Sequence, residues 1–127
     1  MAVLLDASAL LALLYDERGA AEVRAQIDEA RLLAVNLEEV LGVLLKDGMP
    51  VDIARHTVDT LGLSIAPYTE AMAWRSAELR RRLPSGLGIA DRACLAAAAV
   101  LGTPVLIADA LWRKAAEVFG VDVRVIR

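Results

Sequence analysis

Histidine, cysteine and aromatic residues are scarce in this chain, and each shortage argues against a class of function. The 127 residues include one His, one Cys, two Trp, two Tyr and one Phe. Zinc sites are usually built from several His or Cys side chains, so none is expected here. A single cysteine, Cys94, excludes an internal disulfide and suits a reducing compartment, and we therefore expect a cytoplasmic protein.

The sequence also lacks a basic excess and a long apolar run. Fourteen Lys and Arg stand against 17 Asp and Glu, for a net charge of −3, so overall charge does not favour nucleic-acid binding. No apolar run reaches the roughly 18 residues of a membrane helix, and we expect no signal peptide because the N-terminus has no basic leader or cleavage site. The hydrophobic content of 57% then predicts an aliphatic core and an apolar interface with another copy or a permanent partner.

Short apolar segments alternate with helical patterns along the whole chain. Strands are predicted at 3–5, 31–35, 63–68, 104–108 and 121–126, and helices at 7–15, 20–30, 36–48, 50–61, 69–82, 89–101 and 110–119. We expect Asn36 and Thr69 to cap their helices, and Pro84 and Gly86 to break the chain after Arg82. The alternation predicts an α/β fold, a three-layer α/β/α sandwich with a five-stranded parallel sheet, as a single domain over residues 1–127. The first and fourth strands are apolar throughout and should be central, whereas the alternating fifth strand should be an edge.

Acidic residues stand where apolar segments end. Asp6 follows the first predicted strand and Asp109 follows the fourth, Glu38 and Glu39 lie in the helix after the second, and Asp91 lies in the first turn of the helix at 89–101. Ligands of parallel sheets bind beyond the carboxyl ends of the strands, so the acids that follow strands are expected at one edge of the sheet, and Asp91 joins them if its helix begins at that edge. Carboxylates gathered without matching cations either take up protons or bind divalent ions. Oxygen ligands favour Mg²⁺ or Mn²⁺.

Each acid also has a purely structural interpretation. Asp6 and Asp109 could cap the helices that follow them, and Asp91 could stabilise its helix through the dipole. Glu39 stands three residues after Asn36, which is the spacing of a capping box. Their shared position at one predicted edge favours a common site over four independent caps.

The basic run ELRRRL at 78–83 and the two tryptophans are further candidates for contact with a ligand. The run is interpreted as a solvated helix face, with a patch that steers phosphates as the alternative. Trp74 and Trp112 are interpreted as packing residues rather than as platforms for stacked bases.

Four segments carry a resemblance to a known family. They are LLDASALLALL, AVNLEEV, GIADRACLAAAAVLGTPVL and IADALW, in this order. Together they resemble the PIN-domain family over the whole chain, in particular the VapC-like ribonuclease toxins of toxin–antitoxin pairs. The resemblance implies a catalytic metal site of four acids supported by one hydroxyl, namely Asp6, Glu39, Asp91, Asp109 and Ser8. Glu39 is chosen over Glu38 because the family motif has its acid directly before the position of Val40.

The function implied by this resemblance is hydrolysis of RNA phosphodiester bonds by an endoribonuclease that depends on Mg²⁺ or Mn²⁺. Such a toxin would have RNA as substrate and a cognate antitoxin as partner, and it would form a homodimer without contacting a membrane. The chain departs from the family at Gly88, where the family often has Ser, and at Ile107, where it usually has Thr or Ser. A catalytically silent PIN scaffold that binds RNA or protein is therefore an alternative.

A phospho-receiver domain is a less favoured alternative. It would have a similar length, a parallel sheet and an acidic Mg²⁺ site. It would also require paired acids after the first strand and a phosphorylatable Asp after the third. Here the first predicted strand is followed by Asp6 alone, and the third ends in Pro67 and Tyr68.

Overall fold

The computed structural model describes residues 2–83 and 86–127, without the side chain of residue 111. Within these residues there are five strands, β1 (Val3–Leu5), β2 (Ala30–Leu33), β3 (Ser64–Ala66), β4 (Val105–Ile107) and β5 (Val123–Val125). The α-helices there are α1 (Ala7–Leu14), α2 (Ala20–Ala25), α3 (Ala34–Lys46), α4 (Val51–Asp59), α5 (Glu70–Leu79), α6 (Ile89–Leu101) and α7 (Arg113–Phe119). Pro84, predicted to break the chain after α5, lies outside the described residues.

The strands form one sheet in the order β3-β2-β1-β4-β5, and every neighbouring pair is parallel. Every residue of β1 and β4 is buried, as expected for strands that helices cover on both faces. β5 lies at an edge, with Arg124 exposed between the partly buried Val123 and Val125. The predicted α/β class, the parallel sheet and the placement of these strands are confirmed.

Two apolar clusters cover the two faces of the sheet. Val3 and Leu5 of β1 belong to a cluster with buried residues of α1, α2, α3 and α4. Leu4 belongs to the other cluster, with buried residues of α5, α6 and α7. Successive side chains of a strand point to opposite faces, so β1 contributes to both layers. The result is the three-layer sandwich that the sequence predicts.

Helix α6 begins and ends where the sequence predicts. Its residues 93–98 are all buried, because it packs against the sheet and against neighbouring helices with small side chains. Gly102 ends the helix with φ of +67°, a conformation that glycine adopts without strain. No helix within residues 2–83 and 86–127 has both the length and the apolar character needed to cross a membrane.

The start of α3 differs from the prediction. The helix begins at Ala34 with Leu33 at its N-cap, so Asn36 lies inside the first turn and is fully buried. A strand over 31–35 is predicted because a buried helix start and a buried strand have the same apolar composition. The predicted cap at Asn36 is therefore wrong, and so is the capping box between Asn36 and Glu39.

Other helix ends differ by a turn. Thr69 caps α5 as predicted, and its hydroxyl accepts a hydrogen bond from the Met72 amide at 3.3 Å. The helices predicted over 20–30 and 69–82 are shorter, because each gives way to a 3₁₀ turn, at Ile27–Glu29 and Arg80–Arg82. A third 3₁₀ turn, Ala110–Trp112, precedes α7.

Candidate active site

Asp6 follows β1 and lies in the interior, with 2% of its surface exposed. The Ala9 amide donates to its Oδ1 at 2.9 Å, so Asp6 is the N-cap of α1 and the structural interpretation of this residue is confirmed. The Ser8 hydroxyl lies 2.8 Å from Oδ1 and 2.7 Å from Oδ2, and its one proton is donated to either oxygen. These partners are an amide and a hydroxyl, and neither carries charge.

Ser8 connects Asp6 to the end of the neighbouring strand. While its hydroxyl donates to Asp6, the same Oγ accepts a hydrogen bond from the Ala108 amide at 3.0 Å. Ala108 directly follows β4, so one hydroxyl joins the carboxyl ends of β1 and β4. Ser8 therefore orients the Asp6 carboxylate relative to the end of β4.

The surroundings of Asp6 favour its protonated form. Burial is the largest cause and raises the pKa of Asp6 from 3.8 to about 7, with further upward contributions from the Asp91 and Glu39 carboxylates. The hydrogen bonds from Ala9 and Ser8 act in the opposite direction, since they stabilise the charged form. Asp6 is thus a buried acid close to two other acids.

Asp91 lies in the first turn of α6 and is partly buried. Its Oδ2 accepts a hydrogen bond from the Gly88 amide at 3.3 Å. Burial raises the pKa of Asp91, and the Glu39 and Asp109 carboxylates raise it further, while the Gly88 bond and Arg92 lower it. Asp91 therefore interacts with acids that come from α3 and from the end of β4.

Glu39 and Asp109 are both exposed, unlike Asp6 and Asp91. Glu38 is exposed as well, but of this pair only Glu39 contributes to the raised pKa values of Asp6 and Asp91. This difference supports the choice of Glu39 over Glu38. All four predicted acids are linked electrostatically at the carboxyl edge of the sheet.

The four acids are neighbours, but they are not gathered tightly. Across the two described ranges, no three His, Cys, Asp or Glu side chains lie close enough together to hold one ion jointly. Mg²⁺ is commonly bound by one or two carboxylates and keeps several of its waters. The donors are all oxygens, and this chemistry suits Mg²⁺ or Mn²⁺ rather than a closed zinc site.

Asn36 belongs to this edge, and the sequence analysis missed it. Its Nδ2 donates to the Ala90 carbonyl at 3.4 Å, beside Asp91, and its buried Oδ1 has no hydrogen-bond partner in the described part of the chain. A buried acceptor without a donor is costly, and an amide oxygen is a suitable donor for a hard cation or its water. The signal was the three-residue spacing from Glu39, which places both residues on one helix face and which we interpret above as a capping box.

The two departures from the family pattern have different surroundings. Ile107 is fully buried in the apolar cluster of α5, α6 and α7. At the position where the family usually has a hydroxyl, this chain therefore has an aliphatic side chain that packs in the core. Gly88 has an ordinary extended backbone, and an added Cβ would lie 3.8 Å from the Asp91 Oδ2. A serine would therefore fit there, and Gly88 leaves Asp91 with a backbone amide as its partner.

Comparison with known proteins identifies similar folds. A family model described as the PIN domain matches residues 3–118. A search among curated proteins gave no match.

Three solved structures illustrate the similarity. DNA-bound VapBC from Salmonella typhimurium is 15% identical with a TM-score of 0.75, over 100% of this chain and 99% of that one. A toxin–antitoxin complex from Klebsiella pneumoniae is 20% identical with a TM-score of 0.74, over 99% and 98%. FitAcB from Neisseria gonorrhoeae is 20% identical with a TM-score of 0.72, over 98% and 97%. At these identities the similarity shows a shared fold along nearly the whole of each chain.

Proposed function

Since the chain belongs to the PIN domain family, we propose that it is a metal-dependent endoribonuclease that hydrolyses RNA phosphodiester bonds, and that it is the toxin of a toxin–antitoxin pair. The observation that carries the proposal is the buried Asp6 carboxylate, which has neutral hydrogen-bond partners and lies close to Asp91 and Glu39. An acid in this position is costly unless a proton or a cation compensates it. The fold similarity to toxin–antitoxin complexes supports the toxin assignment.

The proposed ligands of Mg²⁺ or Mn²⁺ are carboxylates, namely Asp6, Glu39, Asp91 and Asp109. We add the Asn36 Oδ1 as a neutral oxygen that faces no donor within the described residues. A divalent ion bound by one or two of these carboxylates, with water as its other ligands, would supply an activated water and stabilise the leaving oxygen. It would also compensate part of the charge of the acidic edge and so strengthen the binding of a polyanion.

The residues around the proposed metal site have different roles in this proposal. Ser8 and the Ala9 amide hold the Asp6 carboxylate in one orientation, so its position is set before substrate binds. Asp91 is fixed by the Gly88 amide at the start of α6. Glu39 and Asp109 are exposed and can reach solvent, so either can accept a proton from an attacking water.

The proposed protein partners are an antitoxin and a second copy of the chain. A groove of about 220 Å³ between α3 and α4 is lined mainly by aliphatic side chains, including Leu37, Leu41 and Val58. Such a surface suits an apolar segment of an antitoxin. Trp74 and Ile89 are exposed elsewhere, on α5 and α6, and they support the proposal of a homodimer.

The test is cleavage of labelled RNA by the purified protein after removal of any bound partner. Structured and single-stranded RNAs are incubated with Mg²⁺, with Mn²⁺ and with EDTA, beside an Asp6→Asn variant. We expect cleavage that requires metal and is lost in the variant. Glu39→Gln and Glu38→Gln form a matched pair at consecutive exposed positions of α3, and only the first should lose activity. Cleavage that persists in Asp6→Asn would contradict the proposed site.

A catalytically silent scaffold that binds RNA or protein is the second candidate. The spacing of the carboxylates favours it, because no three of them lie close together within residues 2–83 and 86–127. This candidate predicts RNA or partner binding without cleavage under any divalent ion. The same incubation therefore separates the two functions.

A further inference from the structure

A second cleft opens next to the acidic edge, between α1, the turn that follows it, and the end of β4. It has a volume of about 440 Å³ and shares Ser8 and Asp109 with the acidic site. Glu17 and Arg127 line its other side. Arg127 is the one basic residue among the described residues that line this cleft, which gives the cleft a cation beside a group of acids.

The pairing of β5 with β4 determines where Arg127 lies. Val125 is level with Ile107, and the Ile126 amide donates to the Ile107 carbonyl at 2.9 Å. Parallel strands advance together, so the residue after Ile126 lies beside the residues that follow β4. Arg127 is thus at the same edge of the sheet as Asp109.

The turn that contains Glu17 packs closely against Ile126 through Gly19. The turn after α1 includes Gly19, with φ of +98°, and a Cβ added there would lie 2.7 Å from the Ile126 Cγ1. Only glycine allows both this conformation and this approach. The turn therefore lies directly against the end of β5, and the Arg127 Nη2 donates to the Glu17 Oε1 at 3.2 Å.

The ion pair between Glu17 and Arg127 is exposed and exchangeable. The two side chains keep 51% and 39% of their surface exposed, and exposed pairs of this kind contribute little to stability. A guanidinium binds phosphate oxygens with the same paired geometry that it uses for a carboxylate. The ion pair with Glu17 therefore positions the Arg127 guanidinium and can be exchanged for a contact with phosphate.

We propose that Arg127 binds a backbone phosphate of the polynucleotide in this cleft, and that the Glu17 carboxylate occupies the guanidinium while no phosphate is present. The inference rests on the proposed function, because it places a phosphodiester group in a cleft that shares Ser8 and Asp109 with the acidic site. It assigns Arg127 a binding role and Glu17 a competing one. No bond is made or broken in the exchange.

Substitutions of the two residues of the ion pair should change the affinity for RNA in opposite directions. Binding of a fluorescein-labelled single-stranded oligoribonucleotide is measured in EDTA by fluorescence anisotropy, so that no cleavage is needed. Arg127→Gln should weaken binding by about three- to tenfold, because it removes a charged contact to phosphate. Glu17→Gln should strengthen binding by about two- to threefold, because it removes the competitor. If the pair were only structural, both substitutions would break the same bond and change binding in the same direction, which would overturn the inference.

The chain offers a matched control in β5, the strand that precedes Arg127. Arg124 forms a comparable exposed pair with Asp122, at 3.3 Å, outside the residues of the cleft. Arg124→Gln should leave binding unchanged, and thermal unfolding should show that all three variants fold. Removal of one phosphate contact should also reduce the slope of log K against log salt by about 0.7 for a single strand. An equal reduction in Arg124→Gln would overturn the inference in favour of a general charge effect.

A second measurement separates phosphate of a polynucleotide from free phosphate. The Nε–Hε resonance of Arg127 is followed by NMR during titration with inorganic phosphate and, separately, with the oligoribonucleotide. We expect a shift with both, at a lower concentration of the oligoribonucleotide. A shift with inorganic phosphate alone would overturn the assignment to a polynucleotide, and no shift with either would overturn the site.

The outcomes also separate this inference from the proposed function. If the wild type cleaves RNA and Arg127→Gln binds and cleaves as well as Arg124→Gln, the inference fails and the nuclease stands. If binding shows the opposite signs but no divalent ion supports cleavage, the nuclease fails and the inference stands. If the wild type binds no oligoribonucleotide, the inference fails whatever the result of the cleavage assay.

Discussion

Asp6 and Asp109 both lie beyond the carboxyl ends of adjacent parallel strands, yet their surroundings are opposite. Asp6 directly follows the apolar strand β1, and Asp109 follows the apolar strand β4 after one intervening residue. Asp6 is buried and held by Ser8 and Ala9, whereas Asp109 is exposed before a 3₁₀ turn. β1 is central and passes directly into α1, so two layers cover its end. The comparison teaches that an apolar strand followed by an acid predicts the edge at which the acid lies, while the neighbouring elements decide how deeply it is buried.

The largest expected difference between the two acids is in catalysis. Asp6→Asn should lower RNA cleavage by about a hundredfold or more, because it removes a charge that is fixed in place. Asp109→Asn should lower it by about tenfold, because an exposed side chain is less firmly oriented. Initial rates under saturating Mn²⁺ measure both, with the exposed Asp122→Asn as control. An equal or larger loss of activity in Asp109→Asn would show that burial does not determine how much each acid contributes to cleavage.

In the absence of metal, substitutions of Asp6 and Asp109 should have different effects on the free energy of unfolding. The pKa of Asp6 is raised to about 7 in the folded state, so the folded protein binds a proton more tightly than the unfolded chain does. This contribution to stability is complete below about pH 4 and is lost as the pH rises through 7. In EDTA at pH 8, Asp6→Asn should therefore raise the free energy of unfolding by about 4 kcal/mol.

Urea unfolding at several pH values measures this effect. The Asp6→Asn variant should show a weaker fall in stability than the wild type between about pH 4 and pH 7, the range between the unfolded and folded pKa values of Asp6, and the wild-type curve should level off above it. Asp109→Asn should change the free energy of unfolding by less than about 0.5 kcal/mol, as expected for an exposed side chain. If Asp6→Asn were less stable than the wild type at pH 8, the prediction that the buried Asp6 carboxylate destabilises the metal-free protein would be wrong.

Ser8 tests whether the orientation of Asp6 depends on the end of β4. Ser8→Ala leaves the Ala108 amide without its acceptor, and it should lower the free energy of unfolding by about 1 kcal/mol. It should also raise the pKa of Asp6 further, since the Ser8 hydrogen bond lowers it. Urea unfolding together with the pH profile measures both effects. Ser64→Ala, at an exposed position in β3, should change neither.

Asn36 should have the smallest effect on the metal-free protein. Asn36→Leu replaces a buried amide whose Oδ1 has no partner among the described residues by an apolar group of similar size. We expect a change within about 1 kcal/mol in EDTA. The increase in melting temperature on addition of Mn²⁺ should be smaller than in the wild type, because a ligand stabilises according to its affinity for the folded state. An unchanged increase would exclude Asn36 from the site.

Local patterns predicted much of this fold and the acids at its edge, because those features depend on neighbours in sequence. The boundaries of α6 and the capping by Thr69 follow from an apolar run and a single hydroxyl. The burial of Asn36 depends instead on Ala90, 54 residues away, and no local pattern contains that contact. The pair formed by Glu17 and Arg127 joins residues 110 positions apart, and it was likewise invisible in the sequence.

The hydrogen bond between Ser8 and Ala108 joins residues that are 100 positions apart in the chain. The central strand β1 precedes both of its neighbours in the chain, and its second neighbour, β4, is synthesised long after it. Contacts between such distant residues slow folding, because a long loop must close before they form. The acidic edge is therefore assembled only after most of the chain has been synthesised, and a nascent chain interrupted before β4 has Asp6 without the strand that orients it.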